Sequence, residues 1–327
     1  MIWLTWRQHR KQALFTAIAL LLISAALVPT GLQMHNFFDS SGLAACRSAL
    51  GSADLIPATT HQCGSVQQQF TNRFGTLPVV AVLLLLLPLL VGLFFGAPLV
   101  SREVEQGTHR LVWTQGVSRS HWALVKFGLI GAVGLVVATG YALLVSWWIE
   151  PLAITGPGRF AYGYFDVQGI APIGYTLFAL ALGIFAGSVW HKVLPAMAAT
   201  LGGYALVRVL IEVVLRPHYA TAKVLTYAVD SPVLVNRLSG SWVYSEGVRT
   251  AADKLILRDG QIGCQATPAP GAGPDDLCVT AGRGAYNFLT YQPASRFWEF
   301  QSIETGIFLA LTAALLYFTI RRLRRVA

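Results

Sequence analysis

Residues 77–100, L-P-V-V-A-V-L-L-L-L-L-P-L-L-V-G-L-F-F-G-A-P-L-V, carry no charge and no polar side chain. A helix rises 1.5 Å per residue, so roughly 20 apolar residues cross the ~30 Å hydrocarbon core of a bilayer, and this stretch reads as a membrane span. Five further apolar runs follow the same logic, at 12–32, 127–149, 172–190, 193–215 and 303–320; the last is short for a span. The composition agrees, with 54% hydrophobic residues, 12% charged and a mean hydropathy of +0.56. Soluble domains carry about 25% charged residues, so ordinary soluble architectures are excluded. The predicted fold is an all-α polytopic membrane protein of six transmembrane helices with a small disulfide-stapled extracellular cap between helices 5 and 6.

The cations set an orientation. Arg7, Arg10 and Lys11 precede the first run. Arg102, Arg110, Arg119 and Lys126 lie between the second and third, Lys192 separates the fourth and fifth, and Arg321, Arg322, Arg324 and Arg325 follow the sixth. Six crossings put all of them on one side, which the positive-inside bias makes the cytoplasm. The expectation is a plasma-membrane protein with both termini cytoplasmic. The net charge of +9 then reflects topology and contact with anionic lipid. The basic residues form no stripe interleaved with aromatics, so no nucleic-acid partner is expected. Ser24-Ala25-Ala26 could suggest a signal-peptide cleavage site, but the apolar run continues past it and five spans follow, so the first run is expected to stay uncleaved. The division expected is an interfacial helix at 1–11, with Trp3 and Trp6 at headgroup depth, and helices 1–5 within 12–215. The extracellular cap takes 216–302, and helix 6 with its basic tail takes 303–327.

All four cysteines fall in the two long loops assigned to the outside, where disulfides persist. Four cysteines allow three connectivities; Cys46 with Cys63 and Cys264 with Cys278 is favoured, because each pair closes a short loop within one segment. Neither pair has zinc-ligand spacing, and no metal is expected. Within the cap, residues 254–264 read as a hairpin turning at Asp259-Gly260.

Ionisable residues inside spans are candidates for function. Arg208 and Glu212 lie four apart on the fifth helix, share a face and can pair, either to line a cavity or outer gate or as a structural clamp. Arg296, Glu299 and Glu304, around the start of the sixth run, are expected at the same outer gate. Gly92 with Gly96 and Gly183 with Gly187 have the G-x-x-x-G spacing that brings helices together in lipid, as internal packing or as a dimer seam. No Gly-Lys dipeptide occurs, so no P-loop can be written, and no His precedes Glu, so no zinc-protease motif exists. No convergent catalytic set is visible, and the chain is not expected to be an enzyme.

The loop at 101–126 reads S-R-E-V-E-Q-G-T-H-R-L-V-W-T-Q-G-V-S-R-S-H-W-A-L-V-K. A short polar helix held between two spans is a mechanical lever that can dock on a soluble partner. The pattern resembles the coupling-helix region of permease subunits of the type-2 class of ABC exporters, where R-E-x-E-x-G-T is followed by Ser-Arg and then Lys. It departs from them at Gly116, where those permeases usually have Pro. Residues 1–10 and 291–308 resemble an actinobacterial-type branch of that family. The resemblance implies a dimeric permease, with itself or a similar chain, assembled in the bilayer with a separate P-loop ATPase. It places the ATPase-coupling surface at Arg102, Glu103, Glu105, Gly107, Thr108, His109 and Arg110. No cofactor is expected on this chain, with ATP and Mg on the partner. An amphipathic substrate (lipid, peptide or drug-like) would be exported by alternating access. The alternative is an ATP-independent channel or a ligand sensor using the cap.

Overall fold

The structure is a computed structural model that describes residues 2–43, 61–106, 119–190, 192–230, 240–264 and 277–325. Six helical segments are long and apolar enough to cross a membrane: Ala17–Ser40, Pro78–Glu103, Leu124–Thr155, Ala171–Val189, Val193–His218 and Ala294–Leu323, here spans 1 to 6. Span 1 belongs to one uninterrupted helix, Ile2–Ser40, with no break near residue 11. Span 6 belongs to the helix Phe297–Arg325, which begins inside the stretch expected to be cap and gives the short sixth run its full length.

Prolines decide how the spans fasten to one another. Pro88 has no N–H to return to the carbonyl four residues back, so the helix of span 2 breaks between Pro78–Leu84 and Leu87–Val91. The freed Leu84 carbonyl accepts a hydrogen bond from the Tyr141 hydroxyl of span 3 at 3.1 Å. Pro151 frees a carbonyl in span 3 without breaking its helix: the Trp147 carbonyl lies 3.0 Å from His35 Nε2 of span 1, and the His35 and Trp147 rings stack at 5.0 Å. In hydrocarbon a freed carbonyl has no water to turn to, and the carbonyls freed by these two prolines are met from other spans. Tyr141→Phe is expected to cost about 1–3 kcal/mol by orphaning Leu84, read as a lower melting temperature in detergent. Adding Pro88→Ala, which restores the missing donor, should recover most of that loss.

Span 2 continues through a π-helical turn, Gly92–Gly96, that packs on span 4. A Cβ on Gly92 would lie 2.5 Å from the Ala179 carbonyl oxygen, and one on Gly187 would lie 2.5 Å from that of Ala97. The two G-x-x-x-G pairs therefore face each other inside one chain. Span 4 is the central helix, with Tyr175, Phe178, Ala179 and Ile184 all buried, and it packs on span 6, span 5 and span 3 as well.

The mostly helical, six-span fold with a disulfide-stapled cap between spans 5 and 6 is as expected, and the cap adds a small sheet to it. The cap holds a four-stranded antiparallel sheet of strands β1 (Lys223–Ala228), β2 (Trp242–Arg249), β3 (Leu255–Arg258) and β4 (Tyr286–Gln292), in the order β1-β4-β2-β3. The expected hairpin at 254–264 is corrected. Leu255–Arg258 pairs with β2 through a turn at Thr250–Lys254, where Asp253 takes φ +64°, and Asp259-Gly260 only ends the strand. Asn287 of β4 bonds both the N–H and the carbonyl of Ile262, at 3.0 and 2.9 Å, and so seats the segment leading to Cys264. Cys264 and Cys278 form the expected disulfide. Cys46 and the Cys63 side chain lie outside the described residues.

The cap is fastened to the bundle by aromatics. Phe160, Phe165, Phe297 and Phe300 form a buried cluster onto which Trp242 of β2 packs, with its ring 6.2 Å from that of Phe160. Gly158 (φ +95°) approaches Gly240 (φ +79°) so closely that a Cβ on Gly158 would lie 2.6 Å from the Gly240 Cα. Only glycine adopts both conformations without strain.

Candidate functional site

Beneath the cap, four charged side chains from three segments meet. Asp166 comes from the short helix Tyr164–Val167 between spans 3 and 4, Arg208 and Arg216 from span 5, and Glu304 from span 6. Arg216 Nη2 donates to Asp166 Oδ1 at 2.6 Å and to Glu304 Oε1 at 2.7 Å, and its Nε donates to Glu304 Oε2 at 2.8 Å. Arg208 reaches Asp166 Oδ1 at 3.0 Å and Glu304 Oε1 at 3.1 Å. The Tyr175 hydroxyl of span 4 donates to Glu304 Oε1 at 2.5 Å and lies 3.2 Å from Asp166 Oδ1. Both guanidiniums also lie over rings, Arg208 above Tyr175 at 3.9 Å and Arg216 above Phe165 at 4.3 Å. The flat, delocalised arginine cation suits this double use of edge and face. Asp166, Arg216 and Glu304 are all buried, and two cations against two anions leave the four charges balanced.

Gln301, one turn before Glu304, holds the loop that carries Asp166. Its Oε1 accepts from the N–H groups of Ile170 and Ala171 at 3.1 and 2.8 Å, and its Nε2 donates to the Phe165 carbonyl at 2.8 Å. These bonds cap the N-terminus of span 4, whose first amides have no intrahelical acceptor. Span 6 therefore grips both the start of span 4 and the acid in front of it.

Burial alone would raise the Asp166 carboxyl, but Arg208 and Arg216 beside it outweigh this and hold it below the ordinary carboxylate range. Burial first, then Glu304, pushes the Tyr219 phenol above its usual range, which keeps it a donor toward Glu304 Oε2 at 3.4 Å. A depressed acid stabilises the fold above its unfolded pKa, about 3.9, and that contribution is lost as pH falls through the lower native value. The melting temperature of the detergent-solubilised protein should therefore show an acid limb below about pH 4. Asp166→Asn should shrink that limb while melting lower at neutral pH.

The arrangement corrects the expected Arg208–Glu212 pair. Two carboxylates from outside the helix take the Arg208 guanidinium, and Glu212 lies 3.8 Å from Arg216 instead. The helix also passes into a π turn at Ile211–Leu215, which changes the register beyond Arg208. Of the other outer candidates, Glu304 is central to the cluster. Arg296 bonds the Thr221 carbonyl and Gln292 instead, at 2.7 and 2.6 Å, and Glu299 is exposed. Sequence reading missed Asp166, Tyr175, Arg216 and Gln301. Arg216 was within reach of it, because 208, 212 and 216 fall on one helical stripe.

At the opposite end, Glu103 closes span 2 and pairs with Lys126 of span 3 at 2.5 Å; the lysine also donates to the Leu99 carbonyl at 3.2 Å. Both side chains are largely withdrawn from solvent, at 18% and 4% exposure. Glu105 accepts from the Val193 N–H at the start of span 5 at 3.2 Å, and Arg102 is exposed. Gly107, Thr108, His109 and Arg110 lie outside the described residues. No group of three or more potential metal ligands occurs among the described residues.

A family model described as ABC-2 membrane transporter related matches residues 17–216. The match runs from the start of span 1 to within two residues of the end of span 5, and its last residue is Arg216 of the buried cluster. Searches of curated proteins and of solved structures found no match. Since the match covers well over half of the chain, this multi-pass membrane protein belongs to the ABC-2 membrane transporter related family.

Proposed function

We propose that the chain is the permease subunit of an ATP-driven exporter, energised by a separate P-loop ATPase that carries the ATP and Mg. The observation that carries this reading is the family match together with the Glu103–Lys126 pair. That pair ties the exit of span 2 to the entry of span 3, so the stretch between them is held at both ends. A force applied to a segment clamped in this way passes into two spans at once. Glu105 adds span 5 to the same end through Val193. The coupling surface is Arg102, Glu103, Glu105, Gly107, Thr108, His109 and Arg110, on the cytoplasmic side, where both termini also lie. Two permease chains, alike or similar, assemble with the ATPases.

The charged cluster is the fixed part of this machine. Breaking a buried pair by separating its partners costs about 3–5 kcal/mol, because each charge is then stranded in a medium of low dielectric. Spans 4, 5 and 6 with the cap therefore move as one body held together by the cluster, and access to an amphipathic substrate changes around that body.

Purification from mild detergent extracts of the native host, followed by mass spectrometry of what accompanies the chain, tests the reading. Co-purification of a P-loop ATPase that is lost in Glu103→Arg with Glu105→Arg, at unchanged expression, supports it. A stable assembly that contains no ATPase would sink it in favour of a self-contained channel or sensor.

A further inference from the structure

Spans 1, 2 and 3 enclose a cleft of about 440 Å³ midway along spans 2 and 3, with span 4 as its floor. Leu20 and Ile23 line it from span 1, Leu90 and Phe94 from span 2, and Val137 from span 3, with Thr176 at the floor. Among the described residues, no charged side chain lines it. The two hydroxyls on its wall are already committed: Tyr141 donates to the Leu84 carbonyl and Thr176 to the Pro172 carbonyl. A water molecule needs two to four polar partners to stay in a cavity, and among the described lining side chains these two hydroxyls, with only acceptor lone pairs left, are the polar groups it would find. Phe94 and Leu90 are 55% and 39% exposed, so the cleft opens sideways toward the bilayer.

We propose that this cleft is a binding site for one acyl chain of a bilayer phospholipid. At this depth the surrounding medium is hydrocarbon, and an apolar cleft open to it is filled from it. Its length fits. From Leu87 to Phe95 the wall of span 2 covers ~12 Å, against ~15 Å for one leaflet's half of the hydrocarbon core. Span 1 leans on span 3 while the cleft separates it from the middle of span 2, so the acyl chain takes the place of a side-chain interface there. The site needs no assumption about what drives the permease.

The test is photolabelling of the purified full chain in lipid nanodiscs that contain a phospholipid with a diazirine on its acyl chain, with adducts mapped by peptide mass spectrometry. Adducts should concentrate on Leu90, Phe94 and Val137, several-fold above Leu206 and Val213, which are at least as exposed on span 5. Ala19→Phe, which fills the cleft from its exposed flank, should abolish the enrichment, and Leu21→Phe, outside the lining, should leave it intact. Should Ala19→Phe fail to fold, Ala19→Leu serves as a gentler filler. Even labelling of all lipid-facing residues in the wild type would overturn the proposal. So would enrichment that persists in a monodisperse filled variant.

Discussion

Arg216→Ala should cost about 3–5 kcal/mol and leave little monodisperse protein after mild heating in detergent. The guanidinium makes three short bonds, of 2.6, 2.7 and 2.8 Å, to two buried carboxylates. Among the described residues its loss leaves Asp166 and Glu304 with Arg208 as their one remaining guanidinium partner, in surroundings that cannot rehydrate them. The change should also loosen the cap, because Tyr219 bonds Glu304 and packs against Phe300. Glu304→Gln removes one of the two stranded anions, so the double variant Arg216→Ala with Glu304→Gln should lose clearly less than the two single losses added together. Additive losses, measured by thermal melting of purified variants, would show that the four charges do not act as a unit.

Gly183→Leu should abolish folding, and Gly183→Ala should cost about 1–3 kcal/mol. A Cβ at this position would land on the Gly92 carbonyl oxygen, 2.6 Å from the Ala97 amide nitrogen and 2.8 Å from the Gly96 carbonyl carbon. All three atoms are backbone, so no side chain can swing aside, and spans 2 and 4 must separate. Helices in lipid are held chiefly by close van der Waals packing, which a separation of even an ångström forfeits. Gly131→Ala is the matched control. Its Cβ would meet nothing within 4 Å, and the better helix propensity of alanine should leave stability unchanged or raised by up to ~1 kcal/mol. Expression yield and melting temperature of the three variants read the comparison directly.

The spans were legible because hydrocarbon imposes a simple rule on sequence: a run of apolar residues of fixed length. The Cys264–Cys278 pairing was legible because chain proximity favours a short loop. The cap sheet was not, since its strands pair across long intervals, β1 with β4 and β4 with β2, and no local pattern announces such partners. The same limit hid Asp166. It stands outside the apolar runs, and only the folded chain brings it to Arg208 and Arg216. Within-helix spacing put Arg208 with Glu212, yet buried charge is settled by the best-placed counter-ion, here Asp166 and Glu304 from other segments. The G-x-x-x-G motifs pointed to close packing without naming the surface. Their mutual contact in one chain answers that, and leaves any dimer seam to other residues.

Site-specific photo-crosslinking tests the central claim most directly, namely that an ATPase docks at the end of the bundle opposite the charged cluster and the cap. A benzoylphenylalanine placed at exposed Gln106, three residues past the end of span 2, is compared with one at exposed Asp253 in the cap. Irradiation in native membranes should join the Gln106 probe to a polypeptide that carries a P-loop, and the Asp253 probe to none. An ATPase adduct from the cap position, or none from Gln106 in an assembly that survives extraction, would contradict the account.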